Sequence, residues 1–360
     1  MRLGLLGCGW IVEREHAPAL RAATGVEVVA VADVSAERAR LVGGLLGLAE
    51  RDCLDDPRAL LERDDIDAVS FGTPPNVRVE LVAMAAASGK HVICEKPLAT
   101  TLAEADALVD SCAASGVHLA VYHNYLYFPE TILARELIAS GAIGDVVATE
   151  LSGYGARPWE GTSAYRPGWR RQVADAGGGA LMDVAVHAVY LTEAYHGRKV
   201  EAVSADVRYD EAGLDVAGYC RLRLGEGVGI LNVAWGLGGA AVRIMGTRGH
   251  IAFVFDENMG YYGAPARAVR CSTEGEPTRT WYMEIGRPFF RTPMFEDIAA
   301  TFDGGSSAYP VTGVDGRRAI ETIFAAYRSA VTGHEVALPL PVDDLYTQGL
   351  SALRAAPAAP

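Results

Sequence analysis

The sequence lacks the features of several protein classes. Its six cysteines are widely spread and none belongs to a C-x-x-C pair, which argues against a disulfide-framed domain and against a zinc ribbon. Its net charge is −13, whereas nucleic-acid backbones and anionic membranes attract basic surfaces. We therefore expect neither nucleic acid nor membrane among its partners.

Long apolar runs are also missing. No stretch reaches the roughly 20 apolar residues that a membrane helix needs. The first apolar run is interrupted at Gly7, too early for the apolar core of a signal peptide. We therefore expect a cytoplasmic protein with reduced thiols. No H-E-x-x-H sequence occurs either, and no metal site is predicted.

What is present is an ordinary globular composition. The chain has 360 residues, half of them hydrophobic, which is long enough for two domains with cores of their own. Strand-like and helix-like segments alternate up to residue 122, a pattern typical of a doubly wound parallel sheet. Successive strand-like segments then predict an α+β domain with a large, mostly antiparallel open sheet. We expect domains at 1–122 and 123–345 and a frayed C-terminal tail at 346–360.

A glycine turn follows the first predicted strand. Gly7 permits a tight turn, and Gly9 lets the backbone approach a pyrophosphate at the start of a helix that begins near Trp10 and Ile11. Asp33 ends the second predicted strand, where a carboxylate accepts hydrogen bonds from a ribose diol. Because no arginine directly follows Asp33, NAD is favoured over NADP as the cofactor.

More polar residues follow the later strands of the first domain. Because the carboxyl ends of parallel strands meet at one edge of the sheet, these residues are expected beside the same ligand. Together with the glycine turn and Asp33, they are the predicted cofactor-binding residues: Thr73, Pro74, Asn76, Glu95, Lys96 and Asn124.

The motifs in this domain resemble those of the Gfo/Idh/MocA family of oxidoreductases. The resemblance lies in four stretches, of which Glu95-Lys96-Pro97 is the most specific: 4–11, 16–20, 73–76 and 89–98. It implies an N-terminal Rossmann domain and a catalytic role for Lys96. One departure is Arg78, where many relatives carry a histidine. The third glycine of the dinucleotide fingerprint is also replaced, by Val12, a bulkier residue at a helix–strand contact.

A second chemical segment lies in the predicted second domain. A glycine triplet at 177–179 starts a helix on which Asp183 and His187 share one face. A carboxylate and an imidazole side by side are able to bind a hydroxyl and remove its proton, although such a pair more often makes caps or core hydrogen bonds. The resemblance implies that Lys96, Asp183 and His187 are catalytic and also contact the substrate.

Aromatic and basic residues precede the glycine triplet. Aromatic rings stack on sugar faces, and guanidinium groups suit hydroxyl or carboxylate groups. Tyr154, Trp169 and Arg170 are the predicted substrate-binding residues of this segment, and Arg170 with Arg171 leaves room for an anionic substrate.

The predicted activity is NAD-dependent hydride transfer involving a secondary hydroxyl or ketone of a sugar or cyclitol. His187 would be the general base, and Lys96 would stabilise the alkoxide. The alternatives are a ketoreductase of a nucleotide-linked sugar, a redox-neutral glycosidase or epimerase with tightly bound NAD, and a non-catalytic sensor. The resemblance also implies assembly through the open sheet, as a homodimer or homotetramer.

Overall fold

The computed structural model describes residues 1–153, 168–236, 239–256, 266–284, 291–305 and 309–355. Its contacts divide the chain into two compact units, each built around its own sheet. Unit 1 comprises Met1–Tyr127 and Arg287–Arg317, and unit 2 comprises Phe128–Gly286 and Arg318–Pro360.

A parallel six-stranded sheet forms the centre of unit 1, in the order β3-β2-β1-β4-β5-β6. Its strands are β1 (Arg2–Leu6), β2 (Glu27–Ala32), β3 (Cys53–Leu54), β4 (Ala68–Phe71), β5 (His91–Cys94) and β6 (Leu119–Val121). The middle strands are almost wholly buried because helices cover both faces of a doubly wound sheet. The predicted Rossmann architecture is therefore confirmed.

Helices and short turns join these strands. The α-helices are α1 (Ala17–Ala22), α2 (Ala36–Leu46), α3 (Pro57–Leu61), α4 (Arg78–Ala87) and α5 (Leu102–Ala114). A π-helical turn (Val12–His16) precedes α1, and short 3₁₀ turns span Glu50–Asp52, Pro75–Val77 and Asn124–Tyr127. Thr101 and Glu104 form a capping box at the start of α5, so the side chains of both residues satisfy backbone amides at the helix start.

A nine-stranded, mostly antiparallel sheet forms the centre of unit 2, as predicted. Its order is β14-β13-β12-β11-β7-β10-β9-β8-β15, and only the β7–β10 pair is parallel. The first eight of these strands in chain order are β7 (Val146–Gly153), β8 (Ala202–Tyr209), β9 (Asp215–Leu224), β10 (Gly227–Ala234), β11 (Ala240–Gly246), β12 (Gly249–Val254), β13 (Ala268–Thr273) and β14 (Arg279–Tyr282).

Helical segments of unit 2 lie before and between these strands. They are α6 (Pro129–Ala139), a 3₁₀ turn (Gly168–Arg171), α7 (Val173–Ala176), a π-helical turn (Leu181–Ala185) and α8 (Val186–His196). Of the elements after β14, α9 (Arg291–Phe302) lies in unit 1, and α10 (Gly313–Thr332) begins in unit 1 and continues into unit 2. The last three lie in unit 2: β15 (Val336–Ala337), α11 (Asp344–Gln348) and α12 (Leu350–Ala355). Within the described residues, no helix is both long enough and apolar enough to cross a bilayer.

The units differ from the expected domain boundaries in one long segment. Residues 287–317 belong to unit 1, whereas a continuous second domain from 123 to 345 was expected. The reason is a set of contacts between α9 and the first helix of the chain. Glu296 accepts hydrogen bonds from the backbone nitrogen and hydroxyl of Thr24, at 2.7 and 2.8 Å, and Thr292 donates to the Ala19 carbonyl at 3.0 Å.

The expected frayed tail also differs from the structure. Residues 344–355 form α11 and α12, because Leu345 and Leu350 are 2% exposed and anchor both helices in unit 2. The rest of the predicted tail, 356–360, lies outside the described residues.

Candidate active site

Five adjacent strand ends bring the predicted cofactor residues to one edge of the unit 1 sheet. The strand registers pair the last residues of β1, β2, β4, β5 and β6 with one another. The residues that follow these ends include Gly7, Asp33, Thr73, Glu95 and Asn124. A parallel sheet binds its ligands at this edge.

Gly7 makes the first turn of this edge at a φ of +93°, where a side chain would be strained. A Cβ atom there would also lie 2.9 Å from the backbone of Gly72 and Thr73. The departure at Val12 has a local compensation, since a Cβ on Gly72 would lie 2.4 Å from Val12 Cγ2. A glycine on the neighbouring turn therefore accommodates the valine that replaces the third fingerprint glycine.

The Asp33 carboxylate joins two turns. Its oxygens accept hydrogen bonds from the backbone nitrogens of Cys8, at 2.7 Å, and Ser35, at 2.8 Å. Arg38, one turn into α2, was missed by the sequence analysis. Its guanidinium donates to the Cys8 carbonyl at 2.6 and 2.9 Å and lies 2.8 Å from a Glu13 oxygen. This arginine is therefore already paired with a carboxylate.

The Glu95 carboxylate is held from two sides. One oxygen accepts a hydrogen bond from the Lys96 backbone nitrogen at 3.0 Å, and the other lies 2.9 Å from Nε2 of the wholly buried His16. Burial opposes ionisation of Glu95, but the hydrogen bond from His16 and the nearby positive charges of Lys96 and Arg291 together outweigh burial and lower the Glu95 pKa to about 2. His16 thus supports the Glu-Lys-Pro turn.

Two polar atoms at this edge fit a bound dinucleotide. Thr73 Oγ1 and Asn124 Nδ2 are buried and have no hydrogen-bond partner within the described residues. Buried polar groups normally have partners, so a ligand with complementary polar groups would complete them. Trp10 and Ile11 lie in the first helical turn after the glycines, where backbone amides face the loop.

Arg78 stands where many relatives carry a histidine, and it is 1% exposed. It donates hydrogen bonds to carbonyl oxygens of both the Thr73 turn and the Glu-Lys-Pro turn. The departure seen in the sequence is therefore built into the cofactor edge.

The glycine triplet of unit 2 surrounds a buried carboxylate that sequence reasoning missed. Asp215, at the start of β9, accepts hydrogen bonds from the backbone nitrogens of Gly179, at 2.5 Å, and Leu181, at 2.8 Å, and from the Tyr327 hydroxyl at 2.9 Å. A Cβ atom on Gly179 would lie 2.0 Å from the Asp215 carbonyl oxygen. Asp215 therefore caps the start of the helical segment that carries Asp183 and His187.

Asp183 and His187 lie on one continuous helical segment, with a change of helix type between them. Asp183 is in the π-helical turn, and His187 is in the first turn of α8 and 2% exposed. Single π-helical turns inside α-helices are frequent at functional sites. His187 Nδ1 lies 2.7 Å from the hydroxyl of Tyr190, another residue that sequence reasoning missed.

The predicted substrate residues are described in part. The Arg170 guanidinium lies over the Trp169 ring, 4.2 Å from its centroid, a cation–π arrangement that orders both side chains. Tyr154 lies outside the described residues. Among the side chains that are described, no group of three or more His, Cys, Asp or Glu is arranged to hold a metal ion.

Two family models match the chain. One, for the oxidoreductase family with an NAD-binding Rossmann fold, matches residues 1–123, and the other, for the GFO/IDH/MocA C-terminal domain, matches residues 131–252.

Curated relatives act on sugars according to their names. The chain is 33% identical over 219 residues to dTDP-3,4-didehydro-2,6-dideoxy-alpha-D-glucose 3-reductase of Streptomyces violaceoruber, covering 61% of both proteins. It is 33% identical over 217 residues to D-xylose 1-dehydrogenase (NADP(+)) 2 of Haloferax volcanii, covering 60% of the chain and 63% of the relative. These matches span less than two thirds of the relatives' length.

Solved structures share the fold along nearly the whole chain. Levoglucosan dehydrogenase in complex with NADH superposes with a TM-score of 0.81 at 25% identity, covering 95% of this chain and 100% of that one. Aldose–aldose oxidoreductase from Caulobacter crescentus superposes with a TM-score of 0.82 at 22% identity, covering 94% and 99%.

Proposed function

Since this chain belongs to the Gfo/Idh/MocA family of oxidoreductases, we propose that it is an NAD-dependent sugar or cyclitol dehydrogenase. The reacting group of the substrate is a secondary hydroxyl or, in the reverse reaction, the corresponding ketone. The observation that carries the proposal is the single sheet edge on which the glycine turn, Asp33 and Lys96 follow adjacent strand ends. A dinucleotide needs a phosphate-binding turn, a ribose acceptor and a group beside its reactive ring.

The cofactor is held by residues of unit 1. The turn at Gly7 and Gly9 binds the pyrophosphate, together with the backbone of Trp10 and Ile11 at the helix start. Asp33 accepts hydrogen bonds from the ribose hydroxyls. The remaining contacts come from the later strand ends: Thr73, Pro74, Asn76, Glu95, Lys96 and Asn124. When bound, NAD accepts the hydride in the oxidative direction.

The chemistry of the chain itself is proton transfer and charge stabilisation. The substrate hydroxyl gives its proton to His187, while the Lys96 ammonium stabilises the negative charge that develops on the same oxygen. The Tyr190 hydroxyl lies 2.7 Å from Nδ1 of His187, and we assign Nε2 as the base, with Nδ1 donating to that hydroxyl. Asp183 hydrogen-bonds a neighbouring hydroxyl of the substrate, and Tyr154, Trp169 and Arg170 contact the rest of the sugar.

NAD is the proposed cofactor rather than NADP. A 2′-phosphate would meet the Asp33 carboxylate, and the nearby Arg38 is already paired with Glu13. The relative from Haloferax volcanii carries NADP in its name, so cofactor choice varies among relatives. Titration of the intrinsic fluorescence of NADH and NADPH against the protein tests the preference.

The activity is tested by following absorbance at 340 nm with NAD and a panel of sugars. The panel takes levoglucosan, D-apiose and D-xylose from the names of relatives and adds a cyclitol. Formation of NADH with at least one of them is the expected result. Absence of turnover with every free sugar and cyclitol, in both directions, contradicts the proposal.

A second candidate is a ketoreductase of a nucleotide-linked sugar. It is favoured by the similarity to the dTDP-sugar 3-reductase of Streptomyces violaceoruber. Oxidation of NADH with a dTDP-linked keto-sugar but with no free ketose identifies this alternative. NAD that stays with the purified protein through gel filtration identifies the redox-neutral class.

Assembly is a further part of the proposal. Along β9, exposed side chains alternate with buried ones, so the exposed ones share one face of the unit 2 sheet. They include Tyr219, which is 51% exposed, and Arg221. We expect two or four copies to associate through this face. Light scattering of the purified chain tests this expectation, and a monomer at micromolar concentration contradicts it.

A further inference from the structure

Arg78 is a buried cation that donates hydrogen bonds to backbone carbonyl oxygens. Its Nη1 donates to the carbonyl of Glu95, to that of Pro97 at 2.6 Å and to that of Leu98 at 3.1 Å. Its Nη2 donates to the Thr73 carbonyl at 2.5 Å. One guanidinium thus bonds to two turns that follow different strands.

Burying a guanidinium costs free energy unless its N–H groups are hydrogen-bonded. Burial disfavours the charged form and lowers the Arg78 pKa. The carbonyl dipoles compensate the charge, and loss of the guanidinium would remove the donor from several carbonyls near the core. A planar fork with several N–H groups reaches carbonyls in both turns at once, which the compact ammonium of a lysine does not.

The hydrogen bonds of Arg78 lie on both sides of Lys96 in the Glu-Lys-Pro turn. Glu95 and Pro97 stand immediately before and after Lys96, and the same guanidinium bonds the carbonyl of each, so it holds the peptide group that precedes Lys96 and the one that follows Pro97. The Lys96 backbone nitrogen is in turn bonded to the Glu95 carboxylate at 3.0 Å. The backbone from which the Lys96 ammonium extends is therefore held at three points.

We propose that Arg78 is a positioning residue that sets the place of the Lys96 ammonium by holding the carbonyls on either side of it, and that it couples this turn to the Thr73 turn. The inference rests on the proposed function, in which Lys96 acts on the reacting oxygen. Arg78 itself touches neither substrate nor cofactor in this proposal.

The chain offers a direct probe because it contains only three lysines, Lys90, Lys96 and Lys199. Trace acetylation with acetic anhydride, followed by peptide mass spectrometry, gives the reactivity of each amine between pH 7 and 11. Lys199 serves as the internal reference, since its side chain is 52% exposed and lies in the other unit. No substrate is needed.

Arg78→Met removes every donor at nearly the same length, and Arg78→Gln keeps one amide donor. Arg317→Met is the matched control, because Arg317 belongs to the same unit and bonds Asp106 at 2.8 Å instead of the two turns. Circular dichroism and thermal melting establish that each variant is folded before its lysines are compared.

We expect the ratio of Lys96 to Lys199 acetylation to rise on the order of fivefold in Arg78→Met, because local opening frees the Lys96 ammonium. The pH at which Lys96 becomes reactive should shift as well, with Arg78→Gln between that variant and the wild type and Arg317→Met unchanged. A wild-type ratio and pH profile in folded Arg78→Met overturns the proposal. Failure of both Arg78 variants to fold overturns it too, because Arg78 would then stabilise the unit as a whole.

A second arm separates this inference from the proposed function. In the wild type, NADH at ten times its dissociation constant should slow Lys96 acetylation about tenfold. Absence of that protection counts against the proposed function. Protection in the wild type together with an unaltered Lys96 in Arg78→Met counts against the inference alone.

Discussion

Replacing Asp215 with alanine should destabilise the start of the helical segment that carries Asp183 and His187. The Asp215 carboxylate is 0% exposed and receives three hydrogen bonds, two from backbone amides at the start of that segment and one from Tyr327. In the alanine variant these three donors are left without their acceptor in a buried site.

The size of the effect follows from the number of bonds. A net contribution of about 1–1.5 kcal/mol for each of the three hydrogen bonds gives a loss of about 3–4.5 kcal/mol for Asp215→Ala. Burial raises the Asp215 pKa, so removing the carboxyl also relieves some desolvation and places the expected loss near the lower value. Tyr327→Phe removes a single bond and should lose about 1 kcal/mol.

Thermal melting and hydrogen exchange of the α8 amides measure this loss. At about 2–4 °C per kcal/mol for a unit of this size, Asp215→Ala should melt roughly 6–12 °C below the wild type. Glu211→Ala, which removes an exposed carboxylate from the turn before β9, is the control and should melt within 1–2 °C of the wild type, as is usual for surface substitutions of about 0.5 kcal/mol or less. An unchanged melting point for Asp215→Ala, or an equal loss for Tyr327→Phe, would refute the assignment of Asp215 as the cap.

Three further predictions concern the cofactor edge and the proposed base. Replacing Asp33 with serine should reduce the preference for NADH over NADPH about tenfold in fluorescence titrations, since one charge contact of about 1.4 kcal/mol is relieved for NADPH, and an unchanged ratio contradicts the role of Asp33. The folded-state pKa of Glu95, about 2, lies below its ordinary value of 4.5. The pairing with His16 therefore stabilises unit 1 above pH 4.5, and this contribution is lost as the pH falls towards 2. Glu95→Gln should flatten that part of a profile of melting temperature against pH. Replacing Tyr190 with phenylalanine should shift the acidic limb of the kcat–pH profile without changing NADH affinity, and a superimposable profile contradicts the assignment of Nε2 of His187 as the base.

The cofactor edge was largely predictable because its signals are local. A short apolar strand, a glycine turn and a carboxylate at the next strand end are encoded within a few dozen residues, and the register of parallel strands brings their ends together. The same reasoning places Lys96 at this edge, since it is the second residue after the buried strand β5. The confirmed parts of the fold are those in which periodicity and glycine placement specify the element.

The features that the sequence did not predict depend on contacts between residues that are distant along the chain. Asp215 lies 36 residues after Gly179, and nothing in the segment around it indicates that it caps a helix. The signal that was available is the glycine triplet, because adjacent glycines imply that other backbone comes close. Val12 is a similar case, since the compensation at Gly72 becomes visible only when the two turns are seen side by side.

The assignment of residues 287–317 to unit 1 also depends on nonlocal contacts. Phe295 of α9 contacts the buried rings of His16 and Tyr122, and α9 also contacts the helix at the chain start. Local pattern identifies such a helix without identifying the sheet that it covers.

The central claim is that His187 removes the proton of a sugar hydroxyl in an NAD-dependent oxidation. Its most direct test is the rate of NADH formation by His187→Asn beside the surface variant His334→Asn, with the sugar that the wild type oxidises fastest. A positioned general base contributes about 10²–10⁴-fold, so His187→Asn should lose at least a hundredfold in kcat while NADH affinity and folding stay unchanged. His334, which is exposed in the loop before β15, should be replaceable without effect on turnover. Wild-type turnover in folded, NADH-binding His187→Asn would contradict the account.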